Sequence, residues 1–486
     1  MKQNITILLG CFYVLLTADL HATRPEKRMY KDAVSMGMGG VGVSTIGYSF
    51  SAIHNPAALG LMTDHDIAPF LSLGIAMNPE MFSVLKNIGN ISSDETSFHS
   101  IDYDSLVNKA PSIGINGPLN VGYMGKGFGF WTTTSADTQI AIIDNPNNIL
   151  SKNGINASMN SLVATGSELL KFGNEISIDQ AVEIVKKYLG KDFLNAGLTD
   201  KDIEKFATEL QKNPDLVKTL IPKAKFDATA EITVNVAYGY RIPFASMDKV
   251  SGLSLGATLR FSQRFKVSSG DDFVSVDQLG DSFSNISSQI YQAGSISSDF
   301  GAALRLENFI FGLSVRDAFS TGYRWKNTDG TSGGIENSKI PLSLDFGASY
   351  RFYFSNNFIQ EVGMYLEFED VVNTYDSWIN KMRVGTEVKL FNFLDLRVGV
   401  YDSFITTGIG VGWKWFRMDL AYYRDSYYGN LFVNDQLYLN MTVGLDNSPQ
   451  RKAYSLKQQQ QHDRIQLEAS SLINDSLKGI DNHLVL

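Results

Sequence analysis

Strict alternation of apolar and polar residues is the feature that most constrains what this sequence can fold into. Over residues 382–390 one set of alternate positions is Met, Val, Thr, Val and Leu, and the other set is Arg383, Gly385, Glu387 and Lys389. Successive side chains of a strand point to opposite faces. The pattern recurs over at least eight segments of the chain. It predicts a sheet with lipid on one face and water on the other, which is typical of a transmembrane β-barrel.

Counting these segments predicts an all-β fold, a 14-stranded antiparallel transmembrane β-barrel occupying residues 66–446. An even strand number is usual for bacterial barrels. The connections after the even-numbered strands are short, whereas those after strands 1, 3, 5 and 7 are long. Since short turns lie on the periplasmic side, the long connections are expected outside the cell. The strands are predicted at 66–77, 119–124, 127–142, 230–241, 253–262, 298–306, 309–319, 340–353, 358–370, 381–391, 395–403, 408–415, 417–425 and 433–446.

Charged side chains are expected to line the lumen of this barrel. Five arginines fall on the polar face of their strands, and Glu367 and Glu387 fall there too. A surface sheet without a lumen would not place so many arginines consistently opposite an aliphatic face. The predicted lumen-wall residues are Arg260, Arg305, Arg351, Glu367, Arg383, Glu387 and Arg397.

The two ends of the chain lack the alternation that is typical of barrel strands. Residues 1–22 have a positive start at Lys2 and an apolar run, and Ala18 or Ala22 is a candidate cleavage point, as in a signal peptide. The only cysteine, Cys11, would leave with it. Residues 447–486 are polar and glutamine-rich, and we expect them to form a periplasmic tail. The protein is therefore expected in the cell outer membrane after export.

A helical insertion interrupts the barrel at residues 150–223. Apolar residues lie at helical spacing between Ile178 and Leu189, Thr199 is a candidate helix cap, and Asn213-Pro214 begins another helix. The strand count places this insertion in an extracellular loop. Its apolar stripes are either a small helical core or a surface that captures ligand.

Composition and motifs restrict the function. The formal net charge of −9 argues against nucleic-acid binding, which favours a basic surface. The six histidines lie outside strands 2 to 14, so a catalytic triad in the barrel wall is not expected. No phosphate-binding loop, zinc motif or EF-hand is present, so we predict no catalytic residues, no metal and no cofactor.

A soluble β-sandwich is the alternative fold, because its strands alternate as well. Aromatic residues near strand ends, such as Trp131, Phe352, Trp378 and Tyr423, instead favour a barrel with aromatic girdles at both membrane interfaces.

The segment between the signal and the first strand resembles the opening of the long-chain fatty acid transporter (FadL-like) outer-membrane superfamily. The resemblance lies in the run from Ala33 to Val43 and in the motif Asn55-Pro56-Ala57-Ala58-Leu59. The stretches 366–372, 396–400 and 407–412 are also similar to that superfamily, nearest to its spirochaete relatives and its PorV-like and TraF-like branches. Neither the helical insertion nor the tail is part of the resemblance.

The resemblance implies that residues 23–65 fold back into the barrel as a hatch. By itself this stretch is too irregular and rich in glycine to predict a good strand or helix. Pro56 would fix a bend and Asn55 would bond the polar wall, with Arg383 and Glu387 as candidate partners. The hatch residues implied are Gly37, Gly39, Gly40, Gly42, Asn55, Pro56 and Ala57.

The function implied by the resemblance is passive uptake of hydrophobic compounds such as long-chain fatty acids, without enzymatic activity. The expected partners are such a ligand, outer-membrane lipid, the barrel-assembly machinery, and a surface or periplasmic protein, but no nucleic acid. Two alternatives stay open. One is a PorV-like adaptor or surface protein that binds a protein partner without transporting, and the other is an open porin.

Overall fold

The structure of the protein is a computed structural model. It describes residues 28–46, 48, 50–62, 68–78, 81, 103–107, 111–125, 127–172, 175–242, 250–268, 274–275, 290–327, 336–354, 358–373, 377–391, 393–413, 416–427 and 432–444. The expected signal peptide and periplasmic tail lie outside the described residues.

Fourteen strands pair with their neighbours in chain order, all antiparallel, and the first strand pairs with the last. The barrel is therefore closed, and the predicted fold and strand number are confirmed. Its strands are β1 (Ala68–Met77), β2 (Ser112–Gly125), β3 (Phe128–Ile143), β4 (Lys223–Ile242), β5 (Val250–Ser268), β7 (Ile290–Leu306), β8 (Phe309–Ser320), β10 (Ser343–Tyr353), β11 (Ile359–Phe368), β12 (Met382–Leu390), β13 (Leu394–Tyr401), β14 (Phe404–Trp413), β15 (Phe416–Tyr427) and β16 (Phe432–Gly444). The two-residue strands β6 (Val274–Ser275) and β9 (Lys326–Asn327) extend the sheet beside β4 and β7.

The two faces of the wall differ as the alternation predicts. On β12 the polar residues from Arg383 to Lys389 are buried inside, whereas Val384 on the other face is exposed. The pairing register brings inward-facing residues of neighbouring strands side by side. Glu387 pairs with Arg397, and Gly385 pairs with Gly399. Apolar side chains cover the outside because lipid does not penalise their exposure, while the inner face carries groups that need hydrogen-bonding partners.

Loop lengths distinguish the two ends of the barrel. One end carries short connections such as Glu307-Asn308 between β7 and β8, and we call it the short-turn end. The other end carries the connections after β1, β3, β5 and β8, which are all long, and we call it the long-loop end. The predicted alternation of connection lengths is present in the structure.

Two predictions about the strands were wrong in detail. The second strand begins at Ser112 and not at residue 119 as predicted. The register of β2 against β3 shifts between Asn116 and Val121, so a bulge hides the alternation there. Trp131 and Tyr423 lie inside the barrel, not in an outer girdle, whereas Phe352 and Trp378 are exposed. Position parity on the strand decides the direction of a side chain, and residue type does not.

Residues 28–62, which we call the inner segment, lie inside the barrel. Contrary to the sequence prediction they contain three short helices: α1 (Ala33–Gly37), α2 (Ser51–His54) and α3 (Ala58–Leu61). The Asp32 side chain caps α1 by accepting a hydrogen bond from the Ser35 amide, which stabilises a helix otherwise too short to form. Helix α1 packs against β13–β16, and α3 packs against β3–β5.

A helical cluster stands at the long-loop end between β3 and β4. With the short helix α4 (Tyr103–Leu106) it contains α5 (Ile149–Lys152), α6 (Met159–Phe172), α7 (Ile178–Asn195), α8 (Asp200–Lys212) and α9 (Pro214–Leu220). The sequence predicted α7 to α9 and missed α5 and α6, and Lys223 already belongs to β4. Capping boxes at Ser177 and Thr199 start α7 and α8. One apolar core joins these helices to the strand ends, including Leu162, Val185, Leu189, Ile203 and Leu220.

A tenth helix, α10 (Trp378–Lys381), precedes β12. None of the helices in the described part of the chain has both the length and the apolar character to cross a membrane.

Candidate functional site in the barrel lumen

A track of glycines on the inner wall lets the inner segment approach the strands at backbone distance. A Cβ atom added to Gly385, Gly399, Gly312, Gly301 or Gly256 would lie closer than 3.0 Å to an atom of the inner segment. The contacted groups are largely backbone atoms, from Met38, Gly39, Val43 and Pro56. These wall positions therefore have to be glycine, although glycine weakens a strand.

Three inward-facing glycines form a row across neighbouring strands. Gly239 on β4 pairs with Gly256 on β5, which pairs with Gly301 on β7. The turn of the inner segment at Pro56 lies in the resulting trough, with the Pro56 carbonyl beside Gly239 and Gly256. A register-matched row of this kind makes a groove the width of one chain.

Asn55 fixes the inner segment above this trough. Its side-chain oxygen accepts the amide of Ala57 at 3.0 Å, and its side-chain nitrogen donates to the carbonyl oxygens of Val43 at 3.0 Å and Ala302 at 3.1 Å. All three bonds use groups that asparagine alone supplies in this geometry, one acceptor and two donors. The wall partner is thus a backbone carbonyl of β7, and neither Arg383 nor Glu387 as the sequence suggested.

Glu367 holds the middle of the inner segment. Its carboxylate accepts the amides of Gly42 at 2.7 Å, Val43 at 3.0 Å and Ser44 at 2.8 Å, together with the Ser44 hydroxyl. Successive amides that converge on one anion form a nest. The glutamate is buried, so these bonds replace the water that it would need.

The wall below the inner segment balances its own charges. Arg397 contacts Glu387 at 2.9 Å and Asp419 at 2.8 Å, and Arg417 contacts Asp395 at 2.6 Å and Asp419. These residues lie on β12, β13 and β15. The inner segment contacts this network where the Tyr48 hydroxyl donates to Glu387.

The remaining predicted wall residues lie at separate places in the lumen. Arg351 donates to the carbonyl of Ile46 at 2.9 Å, and so contacts the inner segment. Arg383 pairs with Glu369 at 3.1 Å and stacks on the Tyr401 ring. Arg305 lies near the carbonyl of Glu307 at the short-turn end, and Arg260 lies on the opposite side with Asp299 and Asp317.

Comparison with known proteins agrees with a membrane barrel of this kind. The family described as "Type IX secretion system membrane protein PorP/SprF" matches residues 219–443, which is slightly less than half of the chain and covers β4 to β16. This match covers less than half of the chain, so the FadL-like superfamily remains a resemblance. No curated protein is significantly similar to the chain.

Several solved barrels superpose on most of the chain at low similarity. The TodX deltaS2S3 mutant monoaromatic hydrocarbon channel has 13% identity, covers 85% of this chain and 98% of its own, and gives a TM-score of 0.39. The Pseudomonas putida toluene transporter TodX has 12% identity, with 87% and 99% covered and a TM-score of 0.35. The Ralstonia pickettii toluene transporter TbuX has 11% identity, with 86% and 98% covered and a TM-score of 0.37. At these values the likeness carries no argument about ligands, and the fold rests on the strand pairing. The chain is an outer-membrane-type β-barrel.

Sequence reasoning named the inner-segment glycines but missed the wall positions that receive them. In the structure Gly37 lies against Gly408 of β14, Gly39 and Gly40 have positive φ angles of 78° and 82°, and the Gly42 amide bonds Glu367. The alternation places glycines at inward-facing strand positions, but by itself it predicts only a polar wall there. Their register across strands, which makes the trough, is set only by pairing.

Proposed function

We propose that this barrel is a channel for the passive uptake of hydrophobic compounds, with the inner segment as its hatch. The observation that carries the proposal is the division of contacts in the lumen. The charges of Arg397, Arg417, Asp395 and Asp419 are paired with one another within the wall. If the inner segment moves, these ion pairs remain and this part of the wall can face water.

The inner segment also supplies apolar surface inside a lumen whose wall carries many charged groups. Val34, Met38, Val41 and Phe50 form a buried cluster with Tyr365 of the wall. A hydrophobic molecule that enters the lumen would find its complementary surface on this cluster. Long-chain fatty acids are the ligand class that the sequence resemblance suggests, and we propose them as the first compounds to test.

A reversible cross-link between hatch and wall tests the proposal. The Ser349 hydroxyl on β10 donates to the backbone carbonyl of Ser44 at 3.0 Å, so Ser44→Cys and Ser349→Cys place thiols on neighbouring residues of the inner segment and the wall. The Ser44 side chain contacts Glu367, so a short bis-methanethiosulfonate reagent is used to join the two thiols. With Cys11 replaced by serine, these are the only cysteines. Uptake of a fluorescent long-chain fatty acid by cells producing this variant should stop when the reagent is added and return on reduction.

The matched control joins two wall residues. The hydroxyls of Thr133 and Thr233 lie 2.6 Å apart on adjacent strands, and both residues belong to the wall. A Thr133→Cys/Thr233→Cys bond should leave uptake unchanged. The channel would be overturned if uptake did not respond to the cross-link between hatch and wall. It would also be overturned if deletion of the gene caused no uptake defect and the purified protein carried no bound lipid.

The second candidate is a non-transporting adaptor that binds a protein partner. The family match to a secretion-system membrane protein favours it, and the helical cluster at the long-loop end is the surface that we propose for the contact. Replacing residues 150–220 by a short linker separates the two functions. A channel should keep fatty-acid uptake, whereas an adaptor should lose surface attachment or secretion of its client while the barrel still folds.

A further inference from the structure

The first described residues of the inner segment span the lumen from wall to wall. At one end the carbonyl of Lys31 accepts hydrogen bonds from Asn116 of β2 at 3.0 Å and from the Tyr438 hydroxyl of β16 at 2.8 Å. The Lys31 ammonium pairs with Asp425 of β15 and lies over the Tyr423 ring. Lys31 is therefore held by its backbone as well as by its charge.

The other end is held by Arg28 on the far wall. Its guanidinium contacts Asp317 of β8 at 2.9 Å through Nε and Asp299 of β7 through a second nitrogen. Five strands, β10 to β14, separate β8 from β15 on one side of the barrel, and six strands separate β7 from β15 on the other. The two attachment points thus lie nearly opposite each other. Three residue steps cover only about 11 Å, so the long Arg28 and Lys31 side chains complete the crossing.

The seat for Arg28 is built by an irregularity in the wall. The register of β7 against β8 shifts between Ser298 and Phe300, and Asp317 has a φ of 52° at this bulge. Bulges redirect side chains and often lie at functional positions. Asp299 also accepts the amide of Asp317 at 2.7 Å. Asp299 and Asp317 each contact two guanidinium groups. Arg260 belongs to the barrel wall, whereas Arg28 belongs to the inner segment.

We propose that residues 28–31 form a charged strap across the lumen and that Arg28 is its releasable end. This inference rests on the proposed hatch function and names the contact that opens first. The Lys31 end keeps its backbone bonds and continues into α1, whereas the Arg28 end is attached through a side chain. When Arg28 leaves, Arg260 still neutralises one of the two aspartates, so the seat retains part of its charge balance.

Thiol labelling measures the detachment of the strap and requires no transported ligand. Met29 lies in the strap and is half-buried, so Met29→Cys in a Cys11→Ser background reports its exposure to a membrane-impermeant maleimide. Arg28→Gln should raise the labelling rate on the order of tenfold or more, since it removes charge-assisted bonds to two carboxylates. Lys31→Gln should raise it much less, because the Asn116 and Tyr438 bonds to the backbone remain.

A charge-balanced variant guards against a simple folding defect. Arg28→Gln leaves one excess buried carboxylate, and adding Asp317→Asn restores the balance. The double variant should fold as well as the parent, and its thiol at position 29 should still be labelled fast. The effects of the two substitutions on the labelling rate should not be additive, because both residues hold the same end of the strap. Unchanged labelling in both variants would overturn the strap, as would a larger effect from Lys31→Gln.

The outcomes also separate the strap from the channel. Fast labelling of the Arg28→Gln protein without fatty-acid uptake by any variant would refute the channel and support the strap. Hatch-dependent uptake with labelling unaffected by Arg28 would refute the strap and leave the channel.

Discussion

The Ser44 amide donates a hydrogen bond of 2.8 Å to Oε1 of Glu367, although 323 residues separate the two in the chain. The Ser44 hydroxyl donates to the same oxygen, and the Gly42 and Val43 amides reach the other one. One wall glutamate thus orders three consecutive residues of the inner segment. The docking of this stretch and the burial of that carboxylate depend on each other.

Replacing Glu367 by glutamine should loosen the inner segment without unfolding the barrel. The glutamine NH₂ group would face amide donors where an acceptor is needed, and charge-assisted bonds of this type contribute about 1.5–3 kcal/mol. Hydrogen exchange at the amides of Gly42, Val43 and Ser44 should accelerate by on the order of tenfold or more. Glu175→Gln, at an exposed position in the helical cluster, is the control and should not change these amides.

Alanine in the glycine row should displace the inner segment from its trough. A Cβ at Gly301 would meet the Asn55 side chain, and one at Gly256 would meet the Pro56 backbone, both closer than 3.0 Å. We expect Gly301→Ala and Gly256→Ala to keep the barrel folded and to increase proteolysis of residues 28–62. Gly114→Ala is the control on another strand, because its nearest neighbour would lie 3.7 Å away, an ordinary contact. Equal proteolysis in all three variants would refute the trough.

The barrel itself was predictable because period-two alternation is a local property. Each strand shows it independently, so one bulge in β2 shifted a boundary and left the strand count intact. The same reasoning placed the arginines inside, since a charge on the lipid face is costly. The short helices of the inner segment were not predictable, because the wall contacts that stabilise them are tertiary. The Asp32 cap of α1 is a local signal, but by itself it supports only a single turn.

For the lumen, the sequence predicted which residues take part in contacts but not which of them contact each other. Asn55, Pro56 and the glycines were named from their motif, and Glu367 and Glu387 from their parity. Which of them meet depends on how the inner segment crosses the barrel, and that path is decided by pairing between strands far apart in sequence. The Arg28 seat illustrates the limit: it combines β5, β7, a bulge in β8 and a residue before the hatch motif.

The helical cluster should depend on Asp104 for the start of α6. This carboxylate accepts the amide of Met159, the Ser158 hydroxyl at 2.6 Å and the Asn160 side chain at 2.8 Å. Such a cap contributes about 1 kcal/mol, so Asp104→Ala should accelerate exchange at the first amides of α6. Glu183→Ala, exposed on α7, is the control. Loss of barrel strands in the Asp104 variant would contradict a local capping role.

The connection after β11 should be more stable in acid than at neutral pH, because burial raises the pKa of Asp370 to about 6. The Asp370 amide donates to Asp345, and the Lys381 ammonium donates to the Asp370 carbonyl at 2.8 Å, so this residue joins both sides of the connection. The folded state binds a proton more tightly than the unfolded chain, whose aspartate has the ordinary pKa of 3.8. The stabilising contribution is therefore complete below about pH 4 and is lost as the pH rises through 6.

Hydrogen exchange of the Glu369 and Val371 amides, which bond the carbonyls of Lys381 and Leu344, measures this effect between pH 5 and pH 7.5 after correction for intrinsic rates. Asp370→Asn has no carboxyl to ionise and should remove the pH dependence at these amides. The Thr199 hydroxyl lowers the pKa of Asp202 on α8, so protection there should change in the opposite direction, falling as the solution becomes acidic. An unaltered pH profile in Asp370→Asn would assign the dependence to another group, because this substitution removes the carboxyl of Asp370 and no other ionisable group.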